Sequence, residues 1–142
     1  MQDVGAAYAE YTRIYQRTQD FFRDHDLLLL PTVAVSAWPK HEIYPAAIDG
    51  KRVTSYFDWV RITYAITLVN HPCISIPCGL DPHGIPFGLQ VVARRNEDAF
   101  LLRAAMALEG LLDRSPQTRR PRPDLAWLAS QKAEDPLARP VQ

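Results

Sequence analysis

The chain has little of what would tie it to several large classes of protein. Only two of its 142 residues are cysteine, Cys73 and Cys78, too few for the disulfide framework that holds small secreted domains together. The first twenty residues carry a charge every few positions and contain no apolar stretch of the signal-peptide kind. Purely apolar runs such as Leu27 to Pro31 reach about five residues, far too short to span a bilayer. Neither sign of charge is in excess, with 16 Lys and Arg against 16 Asp and Glu, which removes any broad electrostatic reason to expect nucleic acid or an anionic membrane as a partner. The expectation is a soluble chain in a reducing, cytoplasmic compartment, with no nucleic-acid and no membrane partner.

What is present suits one packed domain. Apolar residues make up 47% and charged residues 23% of the chain, enough for a core and too little polarity for wholesale disorder. Val4, Tyr8, Tyr11, Tyr15, Thr18 and Phe22 recur at spacings of four and three, which predicts a helix over residues 3–23 whose apolar face packs on a sheet. Asp24-His25-Asp26 supplies a turn. Leu27 to Leu30, bounded by that turn and Pro31, then reads as a strand buried on both faces in a mainly parallel sheet. Residues 32–54 have no period, and Pro39, Pro45 and Asp49-Gly50 mark loops and turns. From Ser55, Tyr56, Trp59, Val60, Thr63, Ile66 and Thr67 fall on one side of a second helix, with Ser55 as its cap and Asp58 in its first turn. Asn70-His71-Pro72 ends it. Cys73–Pro77 and Phe87–Ala93 are two strands of a hairpin. Asn96 is placed to cap a helix with Phe100, Leu101, Ala104, Ala105, Leu108, Leu111 and Leu112 on its apolar face. Past residue 113 the prolines at 116, 121, 123, 136 and 140 interrupt regular structure. The division expected is a body of residues 1–113 and a Pro/Arg-rich, mostly irregular tail of residues 114–142, in which Leu125 to Leu128 form one amphipathic turn docked on the body.

Residues that could carry chemistry lack the company they need. The five serines stand apart from one another, and Lys40, Lys51 and Lys132 are the only lysines. Ser75 has no base or Gly-rich elbow beside it and is expected to satisfy its hydroxyl with backbone. Cys73 and Cys78 lack the close pairing of a metal site and read as buried small apolar residues. His25, His41, His71 and His83 are scattered among separate turns. Gln90 is expected to bond within or beside its strand, and Arg114, Arg119, Arg120 and Arg122 to make a solvated surface.

Three segments, taken in order, carry a family resemblance. Asp26-Leu-Leu-Leu-Leu-Pro-Thr32 resembles a D-x-L-x-x-P-T strand. Asn70-His-Pro-Cys-Ile-Ser-Ile-Pro-Cys-Gly79 and Gly84-Ile-Pro-Phe-Gly-Leu-Gln90 resemble the pair N-L-x-G-x-P-A-x-S-x-P-x-G and G-x-P-x-G-x-Q, and Glu97 to Leu112 is similar to the helix that follows. Together they resemble the C-terminal region of amidase-signature hydrolases, over about residues 10 to 112. Two positions depart from the pattern: Thr67 stands for its asparagine, and Asn70 for a glycine that permits positive φ or close backbone approach.

The resemblance implies an α/β fold, namely a partial amidase-signature fold with about three strands of a mixed sheet flanked by helices. It implies hydrolysis of a carboxamide C–N bond, without metal or other cofactor, by a serine, a second serine with a cis peptide, and a lysine. Those three lie in a Gly/Ser-rich segment that precedes the matched region in the family, and this sequence has no Gly-Gly-Ser-Ser run and no lysine with a serine three residues before it. No catalytic residue is therefore assigned. By resemblance, Thr63, Ile66, Thr67 and Asn70 border the amide pocket as substrate-binding residues; read from the residues alone, they pack a helix on a sheet. Trp38 and Tyr44 are candidates for the pocket rim. Three readings stay open: a truncated or split amidase, inactive alone; a non-catalytic module binding a small amide or a partner subunit; and a new site formed in an oligomer. The partners expected are a small-molecule amide, and either the N-terminal amidase half or a second copy, joined through a sheet edge.

Overall fold

The computed structural model describes residues 2–131; the sequence expectations for residues 132–142 lie outside the described residues. Helix α1 (Gln2–Asp24) has Asp3 in its first turn and Arg23 in its last, each sign at the helix end whose dipole it complements. Strand β1 (Leu27–Pro31) follows after two residues. A long irregular segment holds a small hairpin, β2 (Ala47–Ile48) and β3 (Lys51–Arg52). Its turn is Asp49-Gly50, both at positive φ (50° and 71°), the geometry that two-residue hairpins favour.

The helix expected from Ser55 forms in two pieces. Ser55 does cap a helical turn: its hydroxyl accepts from the Phe57 N–H, and Asp58 reaches back to the Ser55 N–H. That turn is a 3-10 helix of only Tyr56–Asp58, however, and α2 (Arg61–Thr67) starts separately after it. The reciprocal cap satisfies the backbone donors at one end of a single turn. Asn70, Pro72 and the positive φ of Asn70 (53°) then turn the chain into strand β4 (Cys73–Leu80).

Strands β4 and β5 (Pro86–Ala93) form the expected hairpin, and β1 joins the far side of β5 in the order β1-β5-β4. All pairings are antiparallel, with Leu30 opposite Gln90 and Gln90 opposite Ser75. This corrects the reading of β1. It lies at an edge rather than inside a parallel sheet, and none of its leucines is fully buried; Leu29 is 47% exposed. A leucine run cannot report strand direction, because the pattern of a doubly buried parallel strand and of an apolar antiparallel edge is the same.

Helix α3 (Asp98–Leu112) covers one face of the sheet, placing Leu101 and Ala105 against Ile76, Val91 and Ala93, with Phe100, Leu108 and Leu112 at the margin. Leu111 points outward instead. Asn96 is not the cap of this helix. It takes a left-handed conformation (φ 63°), the cap position falls on Glu97, and no side chain bonds there. The opposite face of the sheet carries Ser75, Gly88, Gln90 and the fully buried Val92.

Only the C-terminal half of α1 docks. Phe22 is buried and stacks on His71 at 4.7 Å, while Val4 and Tyr8 are exposed. A string of polar contacts fastens this half. Because the Ala93 carbonyl can only accept, His71 Nδ1 carries the proton and donates to it at 2.7 Å; His71 Nε2 then accepts from Gln19. The Arg94 guanidinium donates to the Phe22 carbonyl and to Asp26, and Arg95 to the Tyr15 hydroxyl. Beyond α3, a helix α4 (Leu125–Ser130) does form, capped by Asp124. It does not dock as expected, since Leu125, Trp127 and Leu128 are all exposed.

Candidate functional site

The β1, β4 and β5 ends meet around three small residues. Thr32, just past β1, donates its backbone N–H to the Gly88 carbonyl. Its hydroxyl lies 2.7 Å from the Ser75 hydroxyl on β4. Gly88 sits between them: a Cβ there would come within 2.7 Å of the Thr32 hydroxyl oxygen and 2.8 Å of the Ser75 oxygen. Glycine at 88 is thus required by close approach, which gives the second glycine of Gly84-Ile-Pro-Phe-Gly88 a physical cause. Ser75 bonds a side chain rather than backbone, which corrects the expectation for its hydroxyl.

These residues form the floor of an open cleft of about 490 Å³. Its sides are the loop Val33 to Trp38, Ile85 just before β5, and Pro86 and Phe87 at the start of that strand. Trp38 is fixed edge-on to Trp59 with ring centroids 5.0 Å apart, and its indole N–H donates to the Glu42 carbonyl. Asp81, also in the wall, accepts from the backbone N–H groups of Ile85 and His83. The Ile85 bond above all holds its carboxyl below the ordinary value; partial desolvation opposes this, and the Ser36 hydroxyl and His83 add to the lowering. The cleft therefore offers two adjacent hydroxyls on its floor, apolar and aromatic sides, and one carboxylate already occupied by its own turn.

The residues expected to border a pocket lie beside this cleft. Thr63 donates its hydroxyl to the Thr32 carbonyl, tying α2 to the cleft floor. Ile66 is half-buried. Thr67 is exposed and turns back to the Tyr64 carbonyl, and Asn70 donates to the Tyr11 hydroxyl of α1. None of the four is among the cleft's lining residues. Trp38 lines it and Tyr44 does not. Thr32, Ser75 and Gly88 are legible in the sequence only as pattern positions, because contacts across three strands leave no local spacing there.

Two further placements differ from expectation. Cys78 is buried but Cys73 is exposed. Gln90 is 5% exposed, and its Oε1 has no hydrogen-bond partner among the described residues; nor has the buried indole N–H of Trp59. Among the described residues no three His, Cys, Asp or Glu side chains converge as metal ligands would, and no helix is long and apolar enough to cross a membrane.

A three-stranded antiparallel sheet with a helix packed on one face and a hydroxyl-floored cleft on the other defines an α/β unit. Comparison with known proteins narrows this. The family model described as Amidase matches residues 3–102. An acylamidase of Rhodococcus erythropolis is 34% identical over 110 residues, which are 77% of this chain and 23% of that protein. A fatty acid amide hydrolase of Medicago truncatula is 34% identical over 117 residues, 80% of this chain and 18% of its own length. A solved amidase structure superposes with a TM-score of 0.68 at 26% identity, covering 78% of this chain and 25% of that one. The chain belongs to the amidase family. It spans about a fifth to a quarter of the relatives it matches.

Proposed function

We propose that this chain supplies one wall of the substrate site of an amidase-type hydrolase and does not cleave amides by itself. The observation that carries this is the partnership of Ser75. Its hydroxyl is bonded to another hydroxyl, that of Thr32, and to no histidine, lysine or carboxylate among the described residues. A serine nucleophile needs an adjacent base to take its proton, and backbone N–H groups to hold the oxyanion. Threonine is no such base. The sequence also lacks the Gly/Ser-rich run and the spaced Ser and Lys that the family resemblance assigns to the cutting step.

In this reading the substrate is a carboxamide with an apolar acyl part. The cleft beside Trp38, Ile85 and Phe87 receives the apolar part, and the segment Thr63, Ile66, Thr67 and Asn70 borders the amide end once the rest of an amidase domain is in place. The reaction is hydrolysis to acid and ammonia, without a metal or organic cofactor. The two free cysteines suit a cytoplasmic location.

The test is co-expression of this chain with the portion of the Rhodococcus acylamidase that precedes the matched stretch. Ammonia release from a panel of acyl amides is then measured for each part and for the mixture. Turnover by the mixture alone supports the proposal, and Phe87→Ala and Trp38→Ala should raise KM for long acyl amides more than for acetamide. Turnover by this chain alone overturns it. Saturable amide binding by this chain, with no turnover in the mixture, favours the reading as a non-catalytic binding module.

A further inference from the structure

The segment after α3 is an ordered platform. The Thr118 hydroxyl donates to the Leu112 carbonyl, the Thr118 and Arg119 N–H groups both reach the Ser115 carbonyl, and the Ser115 hydroxyl bonds Gln117. This turn is pressed onto β4 at Gly79. Gly79 has φ +75°, and a Cβ added to it would lie 2.1 Å from the Gln117 carbonyl oxygen. Only glycine permits that conformation and that approach together. Pro121 and Pro123 then restrict the backbone on either side of Arg122.

The result is a cleft of about 760 Å³ whose lining includes Gly79, Asp113, Gln117, Arg119, Arg120 and Arg122. Three arginines and one aspartate are among its lining residues, and all four are exposed. Among the described residues none of the three arginines makes an ion pair. Like charges gathered on a fixed platform repel one another, and an anion seated among them relieves that repulsion. Guanidinium forks pair with two oxygens at once, a geometry that matches phosphate oxygens.

We propose that this cleft is a binding site for a compact multivalent oxyanion of the pyrophosphate class. With Asp113 counted, the lining keeps a net excess of two positive charges, which favours a multivalent anion over a monovalent one. The cluster is local, Arg120 and Arg122 also lining a smaller neighbouring hollow with Glu109, in a chain of zero net charge, whereas a nucleic-acid strand needs a basic track along its length and aromatic rings to stack on.

Isothermal titration of the full chain with pyrophosphate at low ionic strength tests this. The expected result is saturable one-to-one binding that weakens at least tenfold in the Arg119→Gln/Arg120→Gln/Arg122→Gln variant. Arg122→Gln alone, which leaves the turn untouched, should weaken it by a smaller factor, and Arg13→Gln/Arg17→Gln on α1 should leave it unchanged. Circular dichroism confirms that each variant is folded. Absence of saturable binding overturns the proposal, as does equal loss in the α1 variant. Hexaglutamate binding more tightly than pyrophosphate also overturns it, by pointing to an acidic peptide.

Discussion

The cleft floor depends on a single missing side chain. At Gly88 a methyl group must displace two short side chains, Thr32 and Ser75, whose oxygens lie 2.7 and 2.8 Å from where it would sit. The Thr32 backbone cannot draw away, since its N–H is bonded to the Gly88 carbonyl. Gly88→Ala should therefore cost about 1–3 kcal/mol, the usual range for overpacking, measured by urea unfolding. Adding Ser75→Ala should recover part of that loss, because it clears one of the two oxygens. Asn70 offers the opposite case. Its φ of 53° falls in the left-handed region, in keeping with the glycine that the family pattern has there. Asn70→Gly should be within about 1 kcal/mol of neutral, trading the bond to Tyr11 for relief of strain, while Asn70→Val should cost more, since a branched side chain at positive φ is a conformational outlier. A thermal melt of each distinguishes them.

Among the elements, the turn between β4 and β5 is tied by one carboxylate. Asp81 accepts from Ile85 and His83, and these bonds hold its pKa below the ordinary aspartate value. A carboxyl whose folded pKa is depressed binds its proton more weakly when folded, so its contribution is complete above the ordinary value and is lost as pH falls through the folded one. Asp58, held low chiefly by the Thr54 N–H and also by Ser55 and Arg61, follows the same sign. The melting temperature of the wild type should exceed that of Asp81→Asn at pH 7, and the gap should close as the pH falls below the ordinary aspartate range and through the lowered folded value. At this scale the sequence is most informative. Long α1 and α3 announce themselves by period, and the hairpin by its turn residues. The periodic run from Ser55 reads as one helix because periodicity senses side-chain faces and not the break after Asp58. The antiparallel pairing of β1 is invisible because strand direction depends on a partner more than fifty residues away.

As a whole, the molecule leaves large apolar side chains in water. Leu29, Phe57, Phe87, Leu102 and Met106 are all exposed, Met106 by 72%. Both outer strands of the sheet, β1 and β4, also present one unpaired edge. Exposed apolar surface and open edges favour association. Sedimentation of the isolated chain should show concentration-dependent self-association, and co-expression with the remaining amidase segment should suppress it; a monomer at all concentrations would count against this. The family is legible from three ordered motifs, and the amidase match over residues 3–102 agrees with it. The geometry of the cleft is not, since Thr32, Ser75 and Gly88 come together only through the sheet.

If this chain holds part of an amidase site without the cutting residues, as proposed, it releases no ammonia alone. Ammonia release from acyl amides by the purified chain tests it most directly. The expected release is none above background, with turnover appearing only when the remaining amidase segment is supplied. Steady ammonia release by the chain alone, abolished by Ser75→Ala in a variant that still folds, would contradict it.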